Sequence, residues 1–96
     1  MTPFSFLTNH GLVLLCIAED PHIRLRDIAE KVEITERAAQ RLVADLTAAG
    51  YVERARQGRR NEYTVRTDLA VRLPNQRDVD IGSLLSVLMT RTARAL

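Results

Sequence analysis

From Leu12 to Ala18 the chain is apolar without a break, and Thr8 stands just ahead of that run as a side chain suited to capping a helix N-terminus. An apolar run of this kind predicts a helix buried on several sides, over about residues 9 to 19. Asp20 then precedes Pro21, and a residue before proline is pushed out of the α region, so the helix stops there. His22 to Leu25 reads as a short extended piece, one rung of a small sheet. Arg26 to Val32 resumes helical spacing, with Ile28, Ala29 and Val32 inward.

Thr35 is a second capping side chain, after which Ala39, Leu42, Val43 and Leu46 recur at the spacing of one helix face. A third helix is predicted over residues 36–49, ended by Gly50. Tyr51 to Gln57 and Asn61 to Val65 read as two strands, and Gly58, Arg59 and Arg60 between them make an antiparallel hairpin. Residues 66–77 read as irregular, with Pro74 and Asn75 as breakers. From Asp80 a last helix is expected, carrying Ile81, Leu84, Leu85 and Leu88 as an apolar stripe.

The fold class is therefore mainly α with a small β-hairpin. Helix, extended rung, helix, turn, helix and hairpin follow in the order of a winged helix-turn-helix, with a C-terminal helix added. No repeat or low-complexity linker divides the 96 residues. The expected organisation is a winged-helix unit over 1–77 and a C-terminal helix over 78–96. The terminal stripe has two uses open to it: core for its own chain, or pairing with the same helix of a second copy. The dimer reading assigns Ile81, Leu84, Leu85 and Leu88 to the interface, and a small domain gains most from such a partner.

Composition narrows the class. Apolar residues are 46% and charged residues 27% of the chain, too apolar for a disordered protein. The longest apolar run, seven residues, is far short of the roughly 20 that span a bilayer, so no membrane partner is expected. The first ten residues carry neither a basic n-region nor a small-residue cleavage site, and Cys16 is the single cysteine, so a cytoplasmic address is expected. The net charge of +2 is unevenly distributed. Residues 1–36 hold three basic and six acidic side chains, residues 37–77 nine and four, and residues 78–96 two of each. Positive charge is concentrated in the middle.

With its apolar side turned inward, the third helix turns Arg37, Gln40, Arg41 and Ala44 outward. Arg pairs with guanine O6 and N7, and Gln with adenine N6 and N7, through two hydrogen bonds each. Arg37 and Arg41 are one turn apart and point the same way. The hairpin adds Arg54, Arg56, Arg59 and Arg60 within seven residues and no acid among them, a composition suited to the phosphate backbone or a minor groove. Arg24 and Arg26 flank the start of the second helix, where free N–H groups attract phosphate; a plain surface role is equally open to them. These groups point to double-stranded DNA, with residues 36–49 in the major groove and the basic wing at 54–65 on backbone or minor groove. A winged helix serving as a protein–protein or assembly module is the alternative, and would have its arginines neutralised by acids such as Glu33, Glu36 and Glu53.

Residues 25–65, LRDIAEKVEITERAAQRLVADLTAAGYVERARQGRRNEYTV, resemble the winged helix-turn-helix of MarR-like and ArsR-like bacterial transcriptional regulators. ITERAAQRLVADLTAAGYV and GRRNEY carry the resemblance most specifically, while FLTNH and IGSLLSVL resemble the flanks of a small single-domain MarR-like subgroup. The resemblance implies sequence-specific DNA binding, transcriptional control in a bacterium and a homodimer. It places Thr35, Arg37, Gln40 and Arg41 at recognition-helix positions and Arg59 and Arg60 at the wing tip. Glu33 stands where such turns commonly hold glycine. A left-handed backbone there costs a non-glycine residue about 1 kcal/mol.

Nothing in the sequence points to catalysis. Cys16 lies in the apolar run, and His10 and His22 have neither a nucleophile partner nor metal-ligand spacing, so no enzyme activity, metal or cofactor is expected. The place left for a small-molecule effector is between the first helix, the last helix and a partner subunit.

Overall fold

A computed structural model describes residues 6–94. Residues 1–5 and 95–96, the outer ends of the two units expected from the sequence, lie outside the described residues.

Helix α1 spans Asn9–Glu19, with the Gly11 N–H donating to Thr8 Oγ1 at 3.2 Å. It buries Val13, Leu14 and Ile17 completely or nearly so, as its apolar run requires. At Asp20 the backbone turns extended, and the Asp20 carboxylate accepts from the His22 N–H at 3.1 Å. The strand expected at His22–Leu25 does not form. The segment is extended at Arg24 and buries Ile23, but its ladder is reduced to one backbone bond, from the Tyr63 N–H to the Pro21 carbonyl at 2.9 Å. Helix α2 then starts at once, over Leu25–Val32, leaving too few residues for a strand.

Glu33 ends α2 in the left-handed region, with φ 66° and ψ 48°, so the turn adopts the backbone that a glycine would favour although no glycine is present. The Ile34 N–H closes it on the Ala29 carbonyl at 2.9 Å. Thr35 caps α3, Glu36–Ala48, by accepting from the Ala38 N–H at 3.0 Å. Ala39, Val43 and Leu46 are buried beneath it, and Leu42 is partly so. Gly50, at φ +90°, lets the chain reverse into the first strand.

Strands β1, Val52–Gln57, and β2, Arg60–Val65, form an antiparallel hairpin with Val52 opposite Val65 and Gln57 opposite Arg60. Gly58 at φ +63° opens its two-residue turn. The next stretch corrects the irregular reading of 66–77. Strands β3, Ala70–Arg72, and β4, Asp78–Asp80, pair antiparallel as a second small hairpin. Pro74 and Asn75 are its turn, and the Leu73 N–H donates to the Arg77 carbonyl at 2.8 Å across it. Helix α4, Ile81–Arg94, follows directly, with the Ser83 N–H donating to Asp80 Oδ1 at 2.7 Å. The architecture is a helix-turn-helix followed by a wing, a second hairpin and a terminal helix. Its core draws Ile17, Ile28, Val43, Val52, Tyr63 and Leu85 from elements along the whole described chain.

Candidate nucleic-acid interface

Helix α3 sets the geometry of the site. Because Ala39, Val43 and Leu46 face the core, Arg37, Gln40, Arg41 and Ala44 are left exposed on the opposite side. Thr35, Arg37, Ala38, Gln40 and Arg41 line a shallow hollow of about 430 Å³ there. Ala38, half-buried, is the smallest side chain lining it. Among the described residues neither Arg37 nor Arg41 forms an ion pair; the ion pairs on this part of the surface go to other groups. Glu33 and Glu36 are exposed beside the face without neutralising it.

The wing stands next to this face. Register pairs Arg54 with Tyr63 and Arg56 with Asn61, so these four share one side of the ribbon. Tyr63 is buried, which fixes that side toward the body of the protein. Arg54 consequently lines a cleft of about 400 Å³ with Gln40, Ala44, Thr47 and Tyr63, and an outward side chain of α3 and a wing arginine meet in one space. Thr47 was not singled out by the sequence. Its spacing from Gln40 and Ala44 was the available signal, and its hydroxyl donates back to the Val43 carbonyl at 2.8 Å. Arg56 bends toward the turn, its Nε donating to the Gly58 carbonyl at 3.3 Å. Arg59 is fully on the surface at the turn.

Arg60 behaves differently from its neighbours. Its Nη2 donates to the His22 carbonyl at 2.6 Å, so the guanidinium turns back onto the protein. A second cleft of about 270 Å³ gathers His22, Arg24, Arg59, Arg60 and Asn61 around the start of α2. Arg24 precedes α2 without a side-chain bond to it, and its carbonyl accepts from the Asp27 and Ile28 N–H groups at 3.0 Å, so the amides that start the helix ahead of them are those of Leu25 and Arg26. Arg26 is exposed further along α2 and lines neither cleft.

The terminal stripe divides. Ile81 and Leu85, each 5% exposed, are core of the chain itself, because β3 and β4 deliver α4 onto α1. Their assignment to a subunit interface is corrected accordingly. Leu84 is 39% exposed and Leu88 partly buried, while Val87, which the sequence reading passed over, is 72% exposed. Behind the wing, a groove of about 690 Å³ runs between α1, β2 and α4, with Ile17, Pro21, Tyr63, Val65 and Leu85 on its walls.

Among the described residues no group of three or more His, Cys, Asp or Glu side chains is placed to hold a metal ion, and no helix is long and apolar enough to cross a membrane. Cys16 is half-buried, and burial pushes its thiol pKa up.

Residues 6–60 match the family model described as the MarR family. That match covers the first three helices, β1 and the turn of the wing. No curated protein matches the chain.

Proposed function

The chain belongs to the MarR family of winged helix-turn-helix, DNA-binding transcriptional regulators, and we propose that it reads duplex DNA by laying α3 in the major groove with the wing on the flanking backbone or minor groove. Arg37, Gln40 and Arg41 read base edges on this reading. Arg54, Arg56 and Arg59 supply charge to the phosphates or to a narrow minor groove. Arg24, at the N-terminus of α2, and Thr35 add backbone contacts. Arg26 lies further out along the same flank.

The observation that carries this reading is the exposed, unpaired pair Arg37 and Arg41 beside the hollow on α3. A face built for protein contact alone would have these guanidiniums matched by the acids nearby, Glu33 and Glu36. They are not matched.

The reading includes a homodimer formed through the outward side of the 78–96 element, with Leu84, Val87 and Leu88 as the apolar contacts. Twofold symmetry then sets two half-sites about 34–36 Å apart, so the recognised sequence is a pseudo-palindrome. The chain acts by binding, in the bacterial cytoplasm where its DNA is. Fluorescence anisotropy with genomic fragments over a salt series tests the whole reading. Affinity should fall linearly in log–log form with salt, and absence of any salt-dependent affinity at about 50 mM salt would overturn it.

A further inference from the structure

Four arginines on the wing look interchangeable in the sequence, and the structure separates one of them. Successive residues of a strand face opposite sides, and cross-strand partners share a side. Arg54, Arg56 and Asn61 therefore lie with Tyr63, whereas Arg60 and Glu62 lie on the reverse of the ribbon. That reverse side meets the turn between α1 and α2. The contacts there include Arg60 Nη2 to the His22 carbonyl at 2.6 Å, His22 Nε2 to Glu62 Oε2 at 3.6 Å, and the Tyr63 N–H to the Pro21 carbonyl at 2.9 Å.

The position of the first contact matters most. Tyr63 is the last buried residue of β2 toward the tip, and beyond it Glu62 and Arg60 reach His22 through exposed side chains. A two-stranded ribbon is marginal by itself in water. Arg60 is the first residue of β2, next to the turn, and its bond reaches back across 38 positions of the chain. It is charge-assisted on the donor side and short, the stronger kind of hydrogen bond. It is also the outermost of these contacts, so without it the turn at Gly58 and Arg59 loses its nearest tether to the body.

We propose that Arg60 is a positioning residue that clamps the wing to the α1–α2 turn and thereby sets where Arg59 meets the DNA backbone. This deepens the DNA-binding reading and rests on it for the role of Arg59. The clamp itself is a property of the free protein.

The test joins one measurement without DNA to one with it. In free Arg60→Ala, amide hydrogen exchange at Tyr63 should rise about fivefold, the loss expected for roughly one hydrogen bond, and backbone order should fall at residues 58–61. With DNA, Arg59→Ala, Arg60→Ala and the double variant form a cycle. If Arg60 acts through Arg59, removing Arg59 should cost almost nothing further once Arg60 is gone. Unchanged Tyr63 exchange, or additive losses in which each variant lowers the salt slope by about one, would overturn the proposal and make Arg60 a phosphate ligand. If the wild-type protein showed no DNA affinity, the proposed function would fail, and the Tyr63 exchange alone would decide the clamp. Arg60 is exposed, so the Ala variant keeps the core intact.

Discussion

Nε2 of His10, on α1, lies 2.8 Å from Oδ2 of Asp45, on α3, so the helix that carries Arg37, Gln40 and Arg41 is tied to the first helix from its solvent side. Both side chains are about half exposed, and water screens such a pair heavily. A neutral imidazole with a proton on Nε2 still donates to the carboxylate, and a protonated one adds charge. A double-mutant cycle of His10→Ala and Asp45→Ala, read by chemical denaturation, should give a coupling of about 0.2–1 kcal/mol that shrinks in high salt. A larger coupling insensitive to salt would mean that the pair is shielded in solution.

The division of labour between α3 and the wing separates two substitutions of the same residue type. Arg41→Ala should relax discrimination at one base pair by about 1–3 kcal/mol, leaving binding to unrelated sequences little changed. Arg59→Ala should weaken binding to all sequences alike and lower the salt slope by about one. Titrations of both variants against specific and scrambled duplexes decide the matter. Equal effects of both changes on both duplexes would refute the assignment.

What the sequence made legible was whatever is decided within a few residues. Thr8 and Thr35 cap helices, Asp20–Pro21 ends one, and the spacing from Ala39 to Leu46 places Arg37, Gln40 and Arg41 outward, each through neighbours in the chain. Hidden features depend on distant partners. The stripe holding Ile81 and Leu85 is open to two uses in the sequence because β3 and β4, three residues each, are too short to leave an alternating pattern. Without that hairpin the return of α4 to the core cannot be seen. Arg60 read as one more cation of the wing because its partner is a backbone carbonyl, a group with no signature in the sequence. The rung expected at His22–Leu25 is extended at Arg24 but forms no strand, since the one backbone N–H of β2 that reaches this turn goes to the Pro21 carbonyl, and the His22 carbonyl is taken by the Arg60 side chain.

Glu33 carries a cost that glycine would remove. At φ 66° its Cβ crowds the following carbonyl, a penalty of about 1 kcal/mol for a non-glycine side chain. Glu33→Gly should therefore raise stability by up to about 1 kcal/mol, or a few degrees in Tm for a domain of this size. The same change deletes a carboxylate beside the start of α3, so DNA affinity at low salt should rise as well. Thermal unfolding and anisotropy on one preparation read both; a lower Tm would contradict the left-handed turn.

Gly82 marks the close approach of α4 to the segment after the wing. Its N–H donates to the Thr67 carbonyl at 3.0 Å, and a Cβ built on it would lie 2.8 Å from Thr67 Cβ and 3.1 Å from the Thr67 carbonyl oxygen. Neither atom is at the end of a flexible side chain. Gly82→Ala should cost about 1–3 kcal/mol by forcing the helix away from Thr67. Adding Thr67→Gly removes one of the two clashes and should restore part of the loss. Denaturant midpoints of the single and double variants check the pair, and an unaffected Gly82→Ala would show that α4 sits further out.

Cys16 provides a pH-dependent readout of core packing around α1. Burial disfavours the thiolate and raises the pKa, an effect opposed by Lys31 and reinforced by Glu19. A raised folded-state pKa means that the thiol stays protonated where a free cysteine has begun to ionise. Its contribution to stability is full below the unfolded thiol range, about pH 8.5, and is lost as pH rises through the higher folded value. Iodoacetamide should accordingly alkylate the native protein more slowly than the unfolded chain at pH 8, and the native rate should climb only at more alkaline pH. The stability advantage of the wild type over Cys16→Ala should likewise narrow above about pH 8.5. Native alkylation as fast as that of the unfolded chain at pH 8 would mean that α1 does not bury this face in solution.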